Sequence, residues 1–227
     1  AIQLIFDSDE FVNKVIGIPG YKPAYSFFPS WLPGAEDKFA REYPLLKQPV
    51  NIALARQLIA EIQQANGELP SMTLLTVASP TGAKVAEYLQ GIMGQGLGLS
   101  IKVDQQTFKQ YLMKAESGEF DMALASWYPD FNDVVTYADL LASWNANNRG
   151  HYANPDYDQW LSVLQRAVDK TERMVAAARL QTIIAEDVPL IPMAETGSAY
   201  LQHGKLRGVV RQVLGADPDY TAARIVP

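Results

Sequence analysis

Regular alternation between helical and strand-like patterns restricts the middle of this chain to an α/β fold. Three segments with apolar residues at helical spacing each precede a short apolar run, in the order 51–66, 72–77, 81–95, 99–103, 108–118 and 120–126. Asn51 is a typical helix N-cap, and Gly67 and Gly118 are typical stop signals. We therefore expect a mixed sheet covered by helices.

The same pattern continues toward the C-terminus with two further helices. An Asn-Pro pair at 154–155 supplies a cap and a first-turn proline for one helix. A second helix is predicted to begin at Thr171 and to end before Pro189. Short strands are expected at 190–193 and 199–202.

A long irregular stretch, residues 19–49, separates the N-terminal helix from the alternating part. It contains six prolines, which block regular structure, and seven aromatic rings, at Tyr21, Tyr25, Phe27, Phe28, Trp31, Phe39 and Tyr43. So many rings require burial, so we predict an ordered segment that wraps around the fold and contains no domain boundary. We call it the wrapping segment.

Composition excludes several classes of protein. The chain is 48% hydrophobic and 19% charged with a net charge of −6, and its basic residues are scattered, so it is not expected to bind nucleic acid. It has no cysteine, which excludes disulfides and a thiol nucleophile. No run approaches the ~20 apolar residues of a membrane span. The first residues lack the charged region of a signal peptide, so position 1 is interpreted as lying inside a longer protein.

Metal and cofactor motifs are absent. His151 and His203 are far apart and have no partners at ligand spacing. The glycines at 91–98 follow a helix and precede a strand, which is the reverse of the order in a phosphate-binding loop. We expect neither a metal nor a cofactor.

The segment 120–133 carries the most chemical information, because an apolar run opens there into alternating aromatic and acidic residues. Trp127, Tyr128 and Phe131 offer flat apolar surfaces, and Asp130 and Asp133 offer charge for a cationic ligand group. Strand ends in α/β folds commonly carry ligand sites. The segment therefore predicts a binding loop.

Two other interpretations of this segment stay open at this level. Pro129 and Asp130 are typical of a turn, and Asn132 or Asp133 is typical of a helix cap. Alternatively, Asp121 and a second acid of the segment would form the carboxylate pair of a glycoside hydrolase.

Several stretches in register resemble one known family. The segment 120–131, together with 1–15 (AIQLIFDSDEFVNKV) and 151–158 (HYANPDYD), is similar to the bacterial family 5 extracellular solute-binding proteins. Within that family the chain most resembles the oligopeptide-binding receptors of ABC importers. The similarity extends over nearly the whole chain.

The resemblance implies a non-catalytic periplasmic-binding-protein-like lobe. Residues 1–197 match the second lobe of a two-lobed peptide receptor, and residues 198–227 match a tail that returns to the first lobe, which this chain lacks. The implied partners are a peptide, that first lobe and an importer permease, in the periplasm or outside the cell. Receptors for another solute, such as a sugar oligomer or a metal complex, are the alternative within the family.

The resemblance also implies roles for single residues. Asp130 matches the aspartate that pairs with the peptide α-ammonium, and Trp127 is expected to wall the cleft beside Tyr128 and Phe131. Phe108 matches a position beside ligand side chains, although the helical pattern alone predicts its burial. Leu124 departs from an arginine that some of these receptors carry, which leaves the handling of acidic side chains open.

The tail contains apolar residues that would lose their cover without a first lobe, at Leu201, Leu206, Val209, Val210, Val213, Leu214, Ile225 and Val226. Exposed apolar segments and strand edges tend to find another partner. We expect the tail either to pack on its own lobe or to form a dimer with a second copy.

Overall fold

The computed structural model describes residues 1–197, 200–211 and 218–227. Its α-helices there are α1 (Ser8–Glu10), α2 (Phe39–Glu42), α3 (Ile52–Asn66), α4 (Pro80–Leu97), α5 (Phe108–Ser117), α6 (Val135–Ala138), α7 (Pro155–Arg166) and α8 (Lys170–Asp187). Its strands are β1 (Lys22–Pro23), β2 (Met72–Val77), β3 (Ile101–Gln106), β4 (Met122–Ala123), β5 (Ala194–Glu195), β6 (Leu206–Arg207) and β7 (Arg224–Ile225). Short 3-10 turns occupy Ile2–Ile5 and Asp139–Leu141, and a π-helical segment, Phe11–Ile16, continues α1.

A three-stranded parallel sheet in the order β3-β2-β4 is the centre of the fold. β2 pairs with β3 over its whole length, from Met72 opposite Ile101 to Val77 opposite Gln106. Consecutive residues of a strand face opposite sides, so Leu74 packs with α3 and α4, and Leu75 packs with α5. The α/β class with a helix-covered sheet is confirmed, with its antiparallel pairs in separate small sheets.

Capping residues set the bounds of the predicted helices. The side chain of Asn51 accepts a hydrogen bond from the Leu54 backbone N–H and caps α3 as predicted. α5 ends at Gly118, which has a φ of +73° that glycine adopts at little cost. α8 begins at Lys170, one residue before the predicted start, because Asp169 supplies its cap.

The wrapping segment belongs to a second core. Phe28 and Phe39 are buried there against α7 and α8, and their rings meet edge to face with centroids 5.4 Å apart. Tyr157 on α7 is also fully buried and donates its hydroxyl to the Ala138 carbonyl oxygen at 2.8 Å. The prediction of an ordered wrapping segment is confirmed, but its rings are buried only in part, since Tyr25 is 39% exposed and four others are half-buried.

Three strand predictions differ from the structure in extent or place. The run 99–103 corresponds to β3, which begins at Ile101 and continues to Gln106 because it pairs with the whole of β2. The run 120–126 forms a strand only at Met122–Ala123, because the chain leaves the sheet after the Leu124 N–H donates to the Leu75 carbonyl oxygen, although β2 itself continues to Val77. The run 190–193 is irregular, and the strand lies at Ala194–Glu195, where it pairs antiparallel with β1. Pro192 lacks the N–H that a ladder there would need.

The described part of the tail pairs mainly with itself. β6 and β7 form an antiparallel pair, and Leu201 and Ile225 are exposed. Packing of the tail on its own lobe is therefore not seen in the described residues, and a dimer remains a prediction. Residues 200–202 are irregular, so the described part of the strand expected at 199–202 was wrong, while residue 199 lies outside the described residues, as do Val213 and Leu214 of the tail. Among the helices of the described ranges, none combines the length and apolar character needed to cross a membrane.

Candidate functional site

The carboxyl ends of three parallel strands bring three loops to one edge of the sheet. The loops begin at Ala78 after β2, at Thr107 after β3 and at Leu124 after β4. In open α/β sheets this edge is where ligands usually bind. The last of these loops, residues 124–133, carries four of the five predicted site residues, and we call it the edge loop.

Tyr111 fixes the start of the edge loop. Its hydroxyl donates to the Leu124 carbonyl oxygen at 2.8 Å, and its ring is buried between α5 and the sheet. Burial raises the pKa of the Tyr111 phenol, and the Arg149 guanidinium beside it opposes that rise. A loop anchored in this way presents its following residues in a defined orientation.

Three aromatic side chains at this edge are exposed. The exposed fraction is 73% for Tyr128, 63% for Phe108 and 49% for Phe131. The predicted burial of Phe108 was wrong, because it is the first residue of α5, whereas Tyr111 and Ala115 supply the fully buried positions of that helix. Large exposed rings are available to cover a ligand or a second protein surface.

Trp127 lies deeper than the other aromatic residues of the edge loop. It is partly buried and packs against the core formed by the wrapping segment, α6, α7 and α8. Its indole N–H is inaccessible to solvent and has no acceptor among the described residues. Trp127 therefore packs against this core and carries a buried donor that has no acceptor among the described residues.

The three acids of the 120–133 segment differ in their partners. Asp121 accepts a hydrogen bond from the Thr73 backbone N–H at 2.7 Å. Asp133 accepts from the Val135 backbone N–H at 2.9 Å and forms a salt bridge with Arg173 at 2.7 Å. Asp130 is exposed and forms no salt bridge with any described residue.

These partners resolve two of the interpretations that the sequence left open. The N-cap of α6 is Val134 and has no side-chain cap, so Asp133 is not the predicted cap; it accepts from the Val135 N–H at the start of α6 and ties that turn to α8. Asp121 and Asp133 are committed to the scaffold, whereas glycoside hydrolysis requires two available carboxyl groups. Of these three acids, only Asp130 has no hydrogen-bond or ionic partner among the described residues.

A second ion pair lies beside the same edge. Lys114 on α5 contacts Asp104 on β3 at 2.5 Å, and both side chains are partly buried. The hydrogen bond from Lys114 lowers the pKa of the Asp104 carboxyl, with a further contribution from Gln106. This pair joins the helix to the sheet and is a structural feature.

Sequence reasoning missed two residues between α6 and α7, Trp144 and Arg149. The Trp144 ring is 62% exposed. Arg149 is partly buried, and its Nε has no hydrogen-bond partner among the described residues. Neither lies in a periodic pattern, so the burial of the arginine atom could not be read from the sequence.

Hydrogen bonds and a helix cap hold the following turn, residues 152–157, in place. Asn154 caps α7 by accepting from the Asp156 and Tyr157 backbone N–H groups. Tyr152 and Asn154 both donate to Asp187, and this lowers the pKa of the Asp187 carboxyl. The expectation of cap and packing roles at 152–157 is confirmed. In the described residues, acidic and histidine side chains form no cluster of three or more that could hold a metal ion.

The parallel sheet and its covering helices form an α/β lobe with three loops at the carboxyl edge of the strands. The sequence model of the "Bacterial extracellular solute-binding proteins, family 5 Middle" matches residues 1–149. The chain belongs to this family, which is one of binding proteins and not of enzymes.

Individual relatives agree with this assignment. The chain is 28% identical over 193 residues to the periplasmic oligopeptide-binding protein OppA of Salmonella typhimurium, covering 85% of this chain and 35% of that protein. It is 26% identical over 219 residues to the dipeptide-binding protein DppE of Bacillus subtilis, covering 95% of this chain and 40% of that protein. The chain thus spans well under half the length of these relatives.

Solved structures include a protein with a similar fold. The substrate-binding domain of an oligopeptide ABC transporter from Bacillus anthracis superposes with a TM-score of 0.90 at 22% identity. The match covers 100% of this chain and 45% of the other. It confirms the fold of a periplasmic-binding-protein-like lobe.

Proposed function

We propose that this chain is the second lobe of a peptide receptor that serves an ABC importer, and that Asp130 pairs with the α-ammonium of the bound peptide. The observation that carries the proposal is the availability of Asp130. It is exposed, unpaired among the described residues and located in a loop that Tyr111 anchors at the ligand edge of the sheet. The two curated relatives, whose names specify oligopeptides and dipeptides, support a peptide as the solute.

The exposed rings supply the second part of the proposed site. Tyr128, Phe131 and Phe108 present apolar surface at the same edge, and Trp127 forms the wall beneath them. Peptide side chains and a first lobe would cover this surface when the receptor closes. A closed cleft strengthens the Asp130 interaction, because water is removed from the ion pair.

Domain organisation follows from the same proposal. Residues 1–197 form the second lobe, and the tail from residue 198 returns to a first lobe. The exposure of Leu201 and Ile225 on the described part of the tail supports an apolar cover by that lobe. Light scattering on this chain with and without the tail tests this assignment: a monomer in both cases fits cover by a first lobe, whereas a tail-dependent dimer indicates a second copy as the cover.

Location and partners are also proposed from the relatives. The Salmonella relative is described as periplasmic, and the solved structure belongs to an ABC transporter. We place this receptor in the periplasm or on the outside of the cell, where its closed form delivers peptide to the importer permease.

Binding without turnover is the test of the proposal. The complete two-lobed receptor is incubated with labelled peptides and with glycans, and binding is measured by calorimetry and products by mass spectrometry. We expect peptide binding, no product, and a loss of roughly 2–5 kcal/mol in Asp130→Ala, because a buried ammonium loses its partner. Asp156→Asn, an exposed acid on α7, is the matched control.

Contrary outcomes have specific meanings. Glycan hydrolysis that Asp130→Asn abolishes would overturn the proposal in favour of an enzyme. Binding of glycans or metal complexes in place of peptides would keep the receptor class and change the solute. The isolated chain would form only one side of the binding cleft. We therefore expect it to bind peptides much more weakly than the complete receptor.

A further inference from the structure

Arg149 has an unusual environment for a cationic side chain of this protein. Its Nε is inaccessible to solvent and lacks an acceptor, and none of the salt bridges in the described residues includes it. Leaving a charged donor buried and unpaired is costly, so such groups normally have a carboxylate or a carbonyl partner. Its missing partner is an acceptor, preferably an anion.

Arg149 is held in place by a rigid turn. The buried side chain of Asn148 donates to the carbonyl oxygens of Ala142 at 3.1 Å and Tyr152 at 2.7 Å, and its Oδ1 accepts from the Tyr152 N–H at 3.0 Å. The Arg149 backbone N–H donates to the Asn147 carbonyl oxygen at 2.9 Å. An arginine on such a frame is oriented before any ligand arrives, which reduces the entropy lost on binding.

The side chain reaches the ligand edge of the sheet from this turn. The Arg149 guanidinium lies beside the Tyr111 phenol, where it counteracts the rise in the Tyr111 pKa that burial causes. That same phenol donates to the Leu124 carbonyl oxygen at 2.8 Å, at the start of the edge loop. A cation from the segment between α6 and α7 is thus brought to the loop that also presents Asp130.

A second unsatisfied donor belongs to the edge loop itself. The Trp127 indole N–H, three residues after Leu124, is buried without an acceptor among the described residues. Both unsatisfied buried side-chain donors of the described residues therefore occur in segments that meet at the Tyr111–Leu124 contact. The Tyr111 hydroxyl lies against the Arg149 guanidinium, but the Arg149 Nε and the Trp127 indole N–H still lack an acceptor among the described residues. Two buried donors without an acceptor favour the binding of an anionic oxygen.

We infer that Arg149 binds a carboxylate of the ligand, so that the receptor selects peptides by a negative charge in addition to their α-ammonium. The inference rests on the proposed peptide-binding function and adds a specificity-determining residue to it. The carboxylate belongs either to the peptide C-terminus or to an acidic side chain. Asp130 and Arg149 then recognise opposite charges of one ligand.

The test compares matched peptides on the complete receptor. One pair differs only in a C-terminal acid or amide, and another pair differs only in a Glu or Gln residue, which is scanned along the peptide. Calorimetry measures Kd for the wild type, Arg149→Gln and the control Arg166→Gln, which removes an equal charge from an exposed position on α7. Thermal unfolding checks that each variant is folded. If Arg149→Gln does not fold, Arg149→Lys takes its place.

We expect the wild type to prefer the charged member of one pair by about tenfold to a hundredfold, since hydrogen bonds to charged groups are the stronger ones. Arg149→Gln should remove that preference by weakening the charged peptide alone, and Arg166→Gln should retain it. The pair that shows the effect identifies the C-terminus or the side chain as the source. Equal affinities within both pairs, or a preference that survives Arg149→Gln, would overturn the inference while peptide binding still stands. Absence of binding to every peptide would instead overturn the proposed function.

Discussion

The wrapping segment and the edge loop are both irregular and rich in aromatic residues, yet the molecule uses them in opposite ways. Phe28 and Phe39 of the wrapping segment are almost completely buried and contact each other in the second core. Tyr128 and Phe131 of the edge loop remain about half or more exposed. The division is not complete, because Trp127 of the edge loop packs on the second core and Tyr25 of the wrapping segment is 39% exposed. Exposure therefore distinguishes Tyr128 and Phe131 from the rings that stabilise the scaffold.

Polar groups follow the same division. In the wrapping segment, Ser30 donates through its backbone N–H and hydroxyl to Glu195, which ties the segment to β5. In the edge loop, Asp130 has no ionic partner and the Trp127 indole N–H has no acceptor among the described residues. Because buried polar groups normally have partners, the unsatisfied Trp127 N–H supports the proposal that a ligand binds at the edge loop.

Truncation of one ring in each segment gives the largest expected contrast. Phe39→Ala should lower the free energy of unfolding of this chain by about 3–5 kcal/mol, because it leaves a cavity in the core. Tyr128→Ala, the matched change in the edge loop, should alter it by less than about 0.5 kcal/mol. Urea denaturation followed by circular dichroism measures both. Equal losses would show that the edge loop is part of the scaffold.

Neutralising Asp130 and Asp133 in turn compares an unpaired acid with a paired acid of the same edge loop. Asp133→Asn should lower the free energy of unfolding by about 1–3 kcal/mol, because Arg173 loses its partly buried charged partner. Asp130→Asn should leave it almost unchanged, since no described residue pairs with Asp130. Denaturation of the two variants side by side decides the matter, and a destabilised Asp130→Asn would reveal a structural role for that carboxylate.

The smallest effect concerns pH and the Asp104–Lys114 pair. The pKa of Asp104 is lowered in the folded chain by the hydrogen bond from Lys114, so the pair stabilises the fold above the unfolded pKa of about 3.9 and this contribution is lost as pH falls through the folded pKa. The contribution should be about 1 kcal/mol after allowance for solvent screening. Unfolding measured from pH 7 to pH 3 should therefore show wild type and Asp104→Asn converging as the pH falls. A constant difference across this range would exclude the pair as the cause.

Sequence patterns predicted the helices and one strand well, because helix caps and the spacing of apolar residues act between residues that are near in sequence. The spacing of apolar residues and the caps at Asn51 and Asn154 gave helices within one or two residues of their observed bounds, and β2 was predicted without error. The strands at 120–126 and 190–193 were wrong because strand length depends on a neighbour, and β2 offers β4 only two paired residues. No periodicity encodes that limit.

The site was only partly predictable for a related reason. The alternation of rings and acids marked the edge loop, but the sequence alone could not separate Asp130 from Asp121 and Asp133. That distinction depends on the Thr73 N–H and on Arg173, which are distant in the sequence. Arg149 was missed because its burial and its approach to Tyr111 arise from a turn with no regular pattern.

The pairing of Asp130 with the peptide α-ammonium is tested most directly by a cycle that changes both groups. The complete receptor, as wild type and as Asp130→Asn, is titrated by calorimetry with one peptide in its free and N-acetylated forms. We expect acetylation to cost the wild type roughly 2–5 kcal/mol and to cost Asp130→Asn much less, which gives a coupling of about 1.5 kcal/mol or more. A coupling of zero, with acetylation equally costly in both proteins, would contradict the account, because the ammonium would then be bound by another group.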